Sequence, residues 1–475
     1  MFGTKGRLVA ALAAALVLAP AAHAGGPGMV IGATEDAVRA PTLVQAKAQM
    51  TLLALAGFRG VRITEIWKPG ATQVSATEKT ILQNVAAAAK LDGIQVITSV
   101  MNYGSATTPL TDQDQSDFAA YAASVVKAVP ALRAIIVGNE PNLNRYWLPQ
   151  FNPDGTDAAA PAYESLLAQT YDAVKAADPG VEVLGGAVSP RGSDNPALTG
   201  RPTHSPTGFI RDLGAAYRAS GRTTPIMDAF AFHPYEDDSS VAPFLGTHPN
   251  STTIALADYP KLVALLGQAF DGTAQPGSTL PIVYDEFGVE SQIPPAKQSL
   301  YTGTEPATTK PVSEQVQADY YRQAIQLAFC QPNVQGLFLF HAFDETALAA
   351  WQSGLYYADD TPKSSLPAVR ASMEQSHRGV VARCNGMRLA VHPKVVQSGT
   401  AITLTCDLDC AYVAELYRLP GKLLATARGT AIGGRATALR LRVPSAAASY
   451  RLRLSAVAPV NRGPTAVKLV PLRPG

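Results

Sequence analysis

Between Met29 and Gly354 the chain repeats one pattern: short apolar runs that end in polar residues, separated by stretches of helical character. Eight such runs can be placed. They are MVIGATED (Met29 to Asp36), GVRITEIW (Gly60 to Trp67), IQVITSVMNYG, LRAIIVGNEP, VEVLGGAVSP, MDAFAFHPYED (Met227 to Asp237), LPIVYDEFGVES (Leu280 to Ser291) and VQGLFLFHAFDE (Val334 to Glu345). Segments such as AKAQMTLLALAGF, EKTILQNVAAAAKLDG and QSDFAAYAASVVKAV lie between them with helical spacing, the second closed by glycine. Strands apolar along their whole length are buried on both faces, as in a parallel sheet covered by helices. Eight of them predict a (β/α)8 barrel over residues 25–378. An open doubly wound sheet is the weaker alternative, because no Gly-rich phosphate loop follows the first strand.

Past a linker near Gly379 to Asn385 the period changes. TAITLTCDLDCAYVAELYRL, RATALRLRVPS and SYRLRLSAVAP alternate apolar and polar residues. In Leu439-Arg440-Leu441-Arg442-Val443 the leucines take one face and the arginines the other. Residues 384–475 are therefore expected to form a small antiparallel, immunoglobulin-like β-sandwich. At the other end, residues 1–24 combine a basic start (Lys5, Arg7), an apolar stretch from Leu8 to Leu18 and the small-residue signal Ala22-His23-Ala24. That is the form of a cleaved secretory signal peptide, so a secreted, extracellular protein is expected. Export permits disulfides, and four cysteines allow three pairings. The close spacing of Cys406 and Cys410 favours a local bridge, leaving Cys330 with Cys384 to tie the barrel to the second domain.

The formal charge of +2 hides an asymmetry. From Cys384 onward there are 13 Lys and Arg against three acids, a net +10. With two basic residues in the leader, residues 25–383 are left at −10. The basic domain could contact the acidic body or an anionic cell-surface polymer. Basic and aromatic residues do not cluster in a nucleic-acid-binding module, so no nucleic acid partner is expected.

In a (β/α)8 barrel, chemistry sits at the C-terminal strand ends. Those ends carry Arg62, Glu65 and Trp67, then Asn102 and Tyr103, Asn139 and Glu140, His233 and Tyr235, Asp285, Glu286 and Glu290, and His341, Asp344 and Glu345, with Trp351 soon after. Glu140 and Glu286 end buried strands four and seven, near enough to share one pocket. Two carboxyls about 5 Å apart suit a retaining glycosidase: one attacks the anomeric carbon, the other protonates the leaving oxygen and then activates water. No pair of histidines has metal-ligand spacing at the strand ends, and neither metal nor organic cofactor is expected.

VGNEPN and YDEFG resemble the acid/base and nucleophile signatures of clan A glycoside hydrolases, with families 5 and 39 the nearest shapes. The resemblance spans roughly Met29 to Val369. It rests on a combination: NEP on strand 4, His-x-Tyr on strand 6 and a glutamate on strand 7. It implies that Glu140 is the acid/base, that Asn139 bonds the sugar 2-hydroxyl, and that Glu286 is the nucleophile. It also implies that Tyr235 hydrogen-bonds Glu286 and that Arg62 lies beneath it. Of Asp285 and Glu286, strand alternation lets only one face the pocket, and the family pattern selects Glu286. A tryptophan is common in the clan on strand 8. Here the strand reads LFLFHAFDE, so His341 or Phe343 is expected in its place, and Asn102 stands where a histidine is common.

Several residues carry two readings. His233 is either a packing histidine or a participant in catalysis. Asp344 and Glu345 are substrate contacts or solvated loop charges. Trp67, Trp147 and Trp351 all follow strand ends and are either sugar platforms, since sugar C–H faces pack on flat aromatics, or buried loop anchors. For the whole chain, the expected partner is a poly- or oligosaccharide substrate. The competing expectation is a non-catalytic carbohydrate-binding or cell-surface protein on a lapsed barrel.

Overall fold

A computed structural model describes residues 25–129, 132–198, 200–381 and 383–475; the expected leader lies outside them. Eight parallel strands close a barrel in chain order. They are β1 (Val30–Thr34), β2 (Gly60–Trp67), β3 (Gln95–Asn102), β4 (Ala134–Val137), β5 (Glu182–Val188), β6 (Ala229–Phe232), β7 (Ile282–Phe287) and β8 (Val334–Phe340). β8 pairs back onto β1 from Val30↔Gly336 to Thr34↔Phe340. Among the described residues eight α-helices surround it: α1 (Leu43–Ala56), α2 (Ala76–Asp92), α3 (Asp112–Ala128), α4 (Ala159–Ala177), α5 (Pro206–Ala219), α6 (Tyr259–Phe270), α7 (Glu314–Phe329) and α8 (Leu366–His377).

Local chemistry sets the helix limits. Thr42, Ser75, Thr111, Ser205 and Ser313 each precede a helix and accept a hydrogen bond from a backbone N–H of its first turn. α1 and α2 end on Gly57 and Gly93, both left-handed. Inside the barrel the filling is small and aliphatic: Ile97, Ala134, Ile136, Leu184, Ala229, Ala231 and Val283 around Phe338. That one ring explains the glycines of the neighbouring strands. A Cβ on Gly32 would stand 2.4 Å from Phe338, and one on Gly60 3.1 Å from it.

The expected end of the fourth strand needs correction. The run LRAIIVGNEP places Glu140 at the end of the strand. The ladder instead ends at Val137. Gly138 (φ 79°) and Glu140 (φ 40°) then turn the chain through the left-handed region. For glutamate that conformation costs about 1–2 kcal/mol. The Glu140 N–H is held by the Ala187 carbonyl at 2.8 Å, and Ala187 is itself left-handed (φ 47°). Both β4 and β5 are therefore bent where they approach the pocket.

The C-terminal region forms two antiparallel sheets. β9 (Lys394–Ser398), β10 (Ala401–Thr405) and β13 (Thr437–Arg442) make the smaller one, in the order β13-β10-β9. The larger contains β11 (Cys410–Arg418), β12 (Lys422–Ala431), β14 (Tyr450–Val457) and β15 (Ala466–Leu472), in the order β12-β11-β14-β15. Leu439, Leu441, Leu452 and Leu454 are buried between the sheets, while Arg440, Arg442, Arg451 and Arg453 point outward. Both expected disulfides are present, Cys330–Cys384 with Cα atoms 5.1 Å apart and Cys406–Cys410. The first joins the end of α7 to the start of the second region. Arg378, following α8, adds a bidentate bridge to Asp409 at 3.0 Å on both oxygens. Among the described residues no helix is long and apolar enough to cross a membrane.

Candidate active site

The strand-end residues converge on one buried charge network. Arg62, on β2, donates from Nη1 to Glu286 Oε1 at 2.7 Å and from Nη2 to Asn139 Oδ1 at 3.0 Å. Its Nε lies 3.5 Å from Asp285 Oδ2. Tyr235 donates its phenol to Glu286 Oε2 at 3.1 Å. His233, wholly buried, joins the rest. Its Nδ1 is 3.0 Å from Glu140 Oε1 and 3.5 Å from Glu286 Oε2, and its Nε2 is 3.2 Å from Asp285 Oδ2. The two glutamate oxygens therefore lie no farther apart than the sum of the first two distances.

These contacts govern the protonation of the neighbours. Burial works against a charged imidazole, yet the anions Glu286 and Asp285, with hydrogen bonds to Asp285 and Glu140, hold His233 well above the usual histidine range. Burial and the nearby Glu286 carboxylate keep the Tyr235 phenol protonated, so it acts as a donor. Burial opposes the Arg62 charge too, but Glu286 and Asp285 outweigh it.

Asp285 corrects the alternation argument. In a regular strand Asp285 and Glu286 would face opposite sides. The β7–β8 register slips between Tyr284 and Phe287, so three steps on one strand answer two on the other. This irregularity at the strand end lets both carboxylates reach the same imidazole.

Above the network lies a cavity of about 360 Å³ whose lining includes Glu140, Ser189, Tyr235, Glu290 and Trp351. Its aromatic wall is Trp351, 5.1 Å from Tyr235 and 5.2 Å from Phe340 between ring centroids. Neither His341 nor Phe343, expected in the place of the clan's tryptophan, lines this cavity. His341 stacks on Phe340 and turns its Nδ1 to the Thr34 carbonyl at 2.8 Å. Phe343 is buried against Tyr356.

Burial decides between the two readings of Trp67 and Trp147 in favour of loop anchors. Trp67 and Trp147 are no more than 1% exposed, and neither can offer a face to a sugar. Trp67 packs on Phe118 and donates to the Ala71 carbonyl, and Trp147 packs on Tyr163. Both anchor loops to the helix layer. Asn102 donates to the Gly104 and Tyr146 carbonyls at 2.7 and 2.8 Å, which makes it a brace for that loop. The loop delivers Tyr146 toward Glu140, where burial and the carboxylate push its phenol up to about 12. Tyr146 is the site residue for which the sequence carried no signal. Glu290 was noted at its strand end, and burial pushes its carboxyl up to about 8.

Asp344 is not a substrate contact either, since its side chain is wholly buried. It pairs with Lys363 at 2.8 Å and accepts from Tyr301 at 2.8 Å and from the Gly354 N–H at 2.9 Å. Lys363 also reaches Ser291 Oγ at 2.8 Å and the Gln352 carbonyl at 2.9 Å. This pair pins the segment that carries Trp351. Lys363→Met keeps the volume but strands the Asp344 charge, and is expected to lower stability by about 3–5 kcal/mol. Urea unfolding checks this, and adding Asp344→Asn should recover much of the loss. A double variant no more stable than Lys363→Met would show that the pair does not act as a pair.

Among the described residues no group of three or more His, Cys, Asp or Glu is placed to hold a metal ion. No family model matches the sequence, and no curated protein does. Solved structures do match in fold. A GH5_18 from Streptomyces cattleya in complex with GlcNAc aligns at TM-score 0.51 and 17% identity, over 77% of this chain and 83% of that one. A GH5_18 variant from Bifidobacterium longum subsp. longum, in complex with Manb1-4GlcNAc, aligns at 0.50 and 13%, over 76% and 81%. The chain spans only 45% of the length of a Bacteroides uniformis beta-glucuronidase 2 mutant that it also matches, at TM-score 0.43 and 13% identity. At these identities the shared property is the fold, a closed eight-stranded β/α barrel.

Proposed function

We propose that this protein is a secreted retaining glycoside hydrolase that cleaves O-glycosidic bonds of a poly- or oligosaccharide. One observation carries the proposal: Glu140 and Glu286 both lie within 3.5 Å of a single ring nitrogen of His233. Contact with one nitrogen keeps the nearest carboxylate oxygens within about 6.5 Å of each other, compatible with the separation of about 5–5.5 Å in retaining enzymes and at the lower edge of the roughly 6.5–9.5 Å that inverting enzymes need to seat a water. In this reading Glu286, ionised between Arg62 and Tyr235, attacks the anomeric carbon and forms a glycosyl ester. Glu140 gives its proton to the departing oxygen and then takes one from the water that hydrolyses the ester. Trp351 supplies the face on which a sugar ring stacks. The left-handed backbone of Glu140 supports the same reading, because strain of this kind persists where the surrounding structure enforces a functional geometry. Secretion rests on the leader sequence.

The test is a panel of plant, fungal and bacterial cell-wall glycans with aryl β-glycosides, read as new reducing ends and aryl release by the purified mature protein. The sugars bound to the two barrel neighbours argue for including β-mannosides and N-acetylglucosaminides. Release, with product anomers of unchanged configuration by NMR, is the expected result. Glycan binding without any product would favour the carbohydrate-binding alternative, and an inverted first product would sink the retaining mechanism.

A further inference from the structure

The network contains one acid that the mechanism above does not use. Asp285 is completely buried. Its Oδ2 lies between His233 Nε2 at 3.2 Å and Arg62 Nε at 3.5 Å, and its Oδ1 has no hydrogen-bond partner. A carboxylate so placed loses its hydration and is tolerable only beside cations. Two are present, Arg62 and, when protonated on both nitrogens, His233.

We propose that Asp285 is a positioning residue that fixes His233 as a doubly protonated imidazolium, with its Nδ1–H directed at the pair Glu140 and Glu286. Charge balance gives the reason, granted the retaining mechanism proposed above. Before attack the network holds Arg62 and His233 as cations, Asp285 and Glu286 as anions, and Glu140 protonated. After attack Glu286 is an uncharged ester and Glu140 has become the anion. The total is zero in both states, and the negative charge has moved from Glu286, 3.5 Å from Nδ1, to Glu140, its hydrogen-bond partner at 3.0 Å. His233 can serve both only if it keeps that proton, and Asp285 is the fixed counter-charge that keeps it there. The groups facing the imidazole are Asp285 and Glu286 from β7, Glu140 beyond β4, Arg62 from β2 and Tyr235 on its own segment.

Asp285→Asn keeps the shape and removes the charge. The imidazolium then loses a stabilising anion, so it gives up its proton at lower pH, nearer the ordinary histidine value of about 6.5. Activity of the variant should fall as pH rises through neutrality, with kcat about 100-fold below wild type at pH 8 and KM little changed. A merely structural role would not move the alkaline limb. The second readout needs no turnover. In 15N-histidine-labelled wild type, the His233 resonances, identified by their loss in His233→Gln, should report both nitrogens protonated from about pH 5 to pH 8. A neutral His233 at pH 7 in the wild type overturns the proposal, whether or not Asp285→Asn folds. So does an Asp285→Asn protein whose His233 stays doubly protonated and whose pH profile is unmoved. If no glycan is turned over, the glycosidase reading fails while the NMR result still decides the role of Asp285.

Discussion

Glu286→Gln is expected to stop turnover, lowering kcat by about 10,000-fold or more, in a protein that still folds. The amide matches the carboxylate in shape: its oxygen, in the place of Oε1, can keep accepting from Arg62 Nη1 at 2.7 Å, while its NH2, in the place of Oε2, donates to the Tyr235 phenol oxygen instead of accepting from it. It cannot form a glycosyl ester, because a carboxamide oxygen is a poor nucleophile. Arg62 loses one of its two anionic partners and keeps Asp285, so a stability loss of about 1–3 kcal/mol is expected, short of unfolding. Initial rates on an activated aryl glycoside, with circular dichroism and a melting curve, separate the two effects. The comparison with Asp285→Asn sharpens the test, since Asp285 is the adjacent carboxylate. A nucleophile at 285 would reverse the order, with Asp285→Asn inert and Glu286→Gln active. Near-wild-type rates in Glu286→Gln would end the assignment.

What the amino-acid sequence made legible follows from how far each inference had to reach. The barrel was readable because strand and helix periodicity are local signals, and the outward arginines of the sandwich for the same reason. Glu140, Tyr235 and Glu286 were readable because each lies at or just past the end of a strand, and strand ends of a closed barrel meet at one mouth; Arg62, inside β2, was readable through the family resemblance. The failures concern properties that periodicity does not encode. Trp67 closes β2 and Trp147 follows β4 as Trp351 follows β8, but the first two rings turn outward into the helix layer against Phe118 and Tyr163. Position in the chain does not say which way a loop aromatic faces. Asp344 was ambiguous because its partner Lys363 stands 19 residues away in an irregular segment with no spacing to read. Asp285 was set aside by a rule that holds in a regular strand and fails at a register slip. The left-handed backbone of Glu140 had one visible hint, Gly138 two residues before it.

The acid/base assignment makes the second large prediction. Glu140→Ala is expected to lower kcat/KM by about 1,000-fold on a substrate with a poor leaving group, for which protonation is essential. On an aryl glycoside with an acidic phenol the first step needs little help, so the loss there should appear mainly in the second step. The glycosyl-enzyme on Glu286 should then accumulate, visible as a burst and as added mass on the intact protein. Azide needs no general base, and truncation opens space beside His233 Nδ1 where the Glu140 carboxylate stood at 3.0 Å. Added azide should therefore raise the turnover of Glu140→Ala and leave wild type unchanged, with a glycosyl azide of the substrate's own anomeric configuration as product. Alanine keeps a Cβ at φ 40°, so the backbone strain of this position persists in the variant. The loss of rate then reports the carboxyl and not a relaxed loop. If azide has no effect while the variant is folded and Glu286 is intact, Glu140 does not deprotonate the attacking water. The general base would then have to come from another residue lining the same cavity, with Glu290, whose carboxyl is pushed up to about 8, the first to replace.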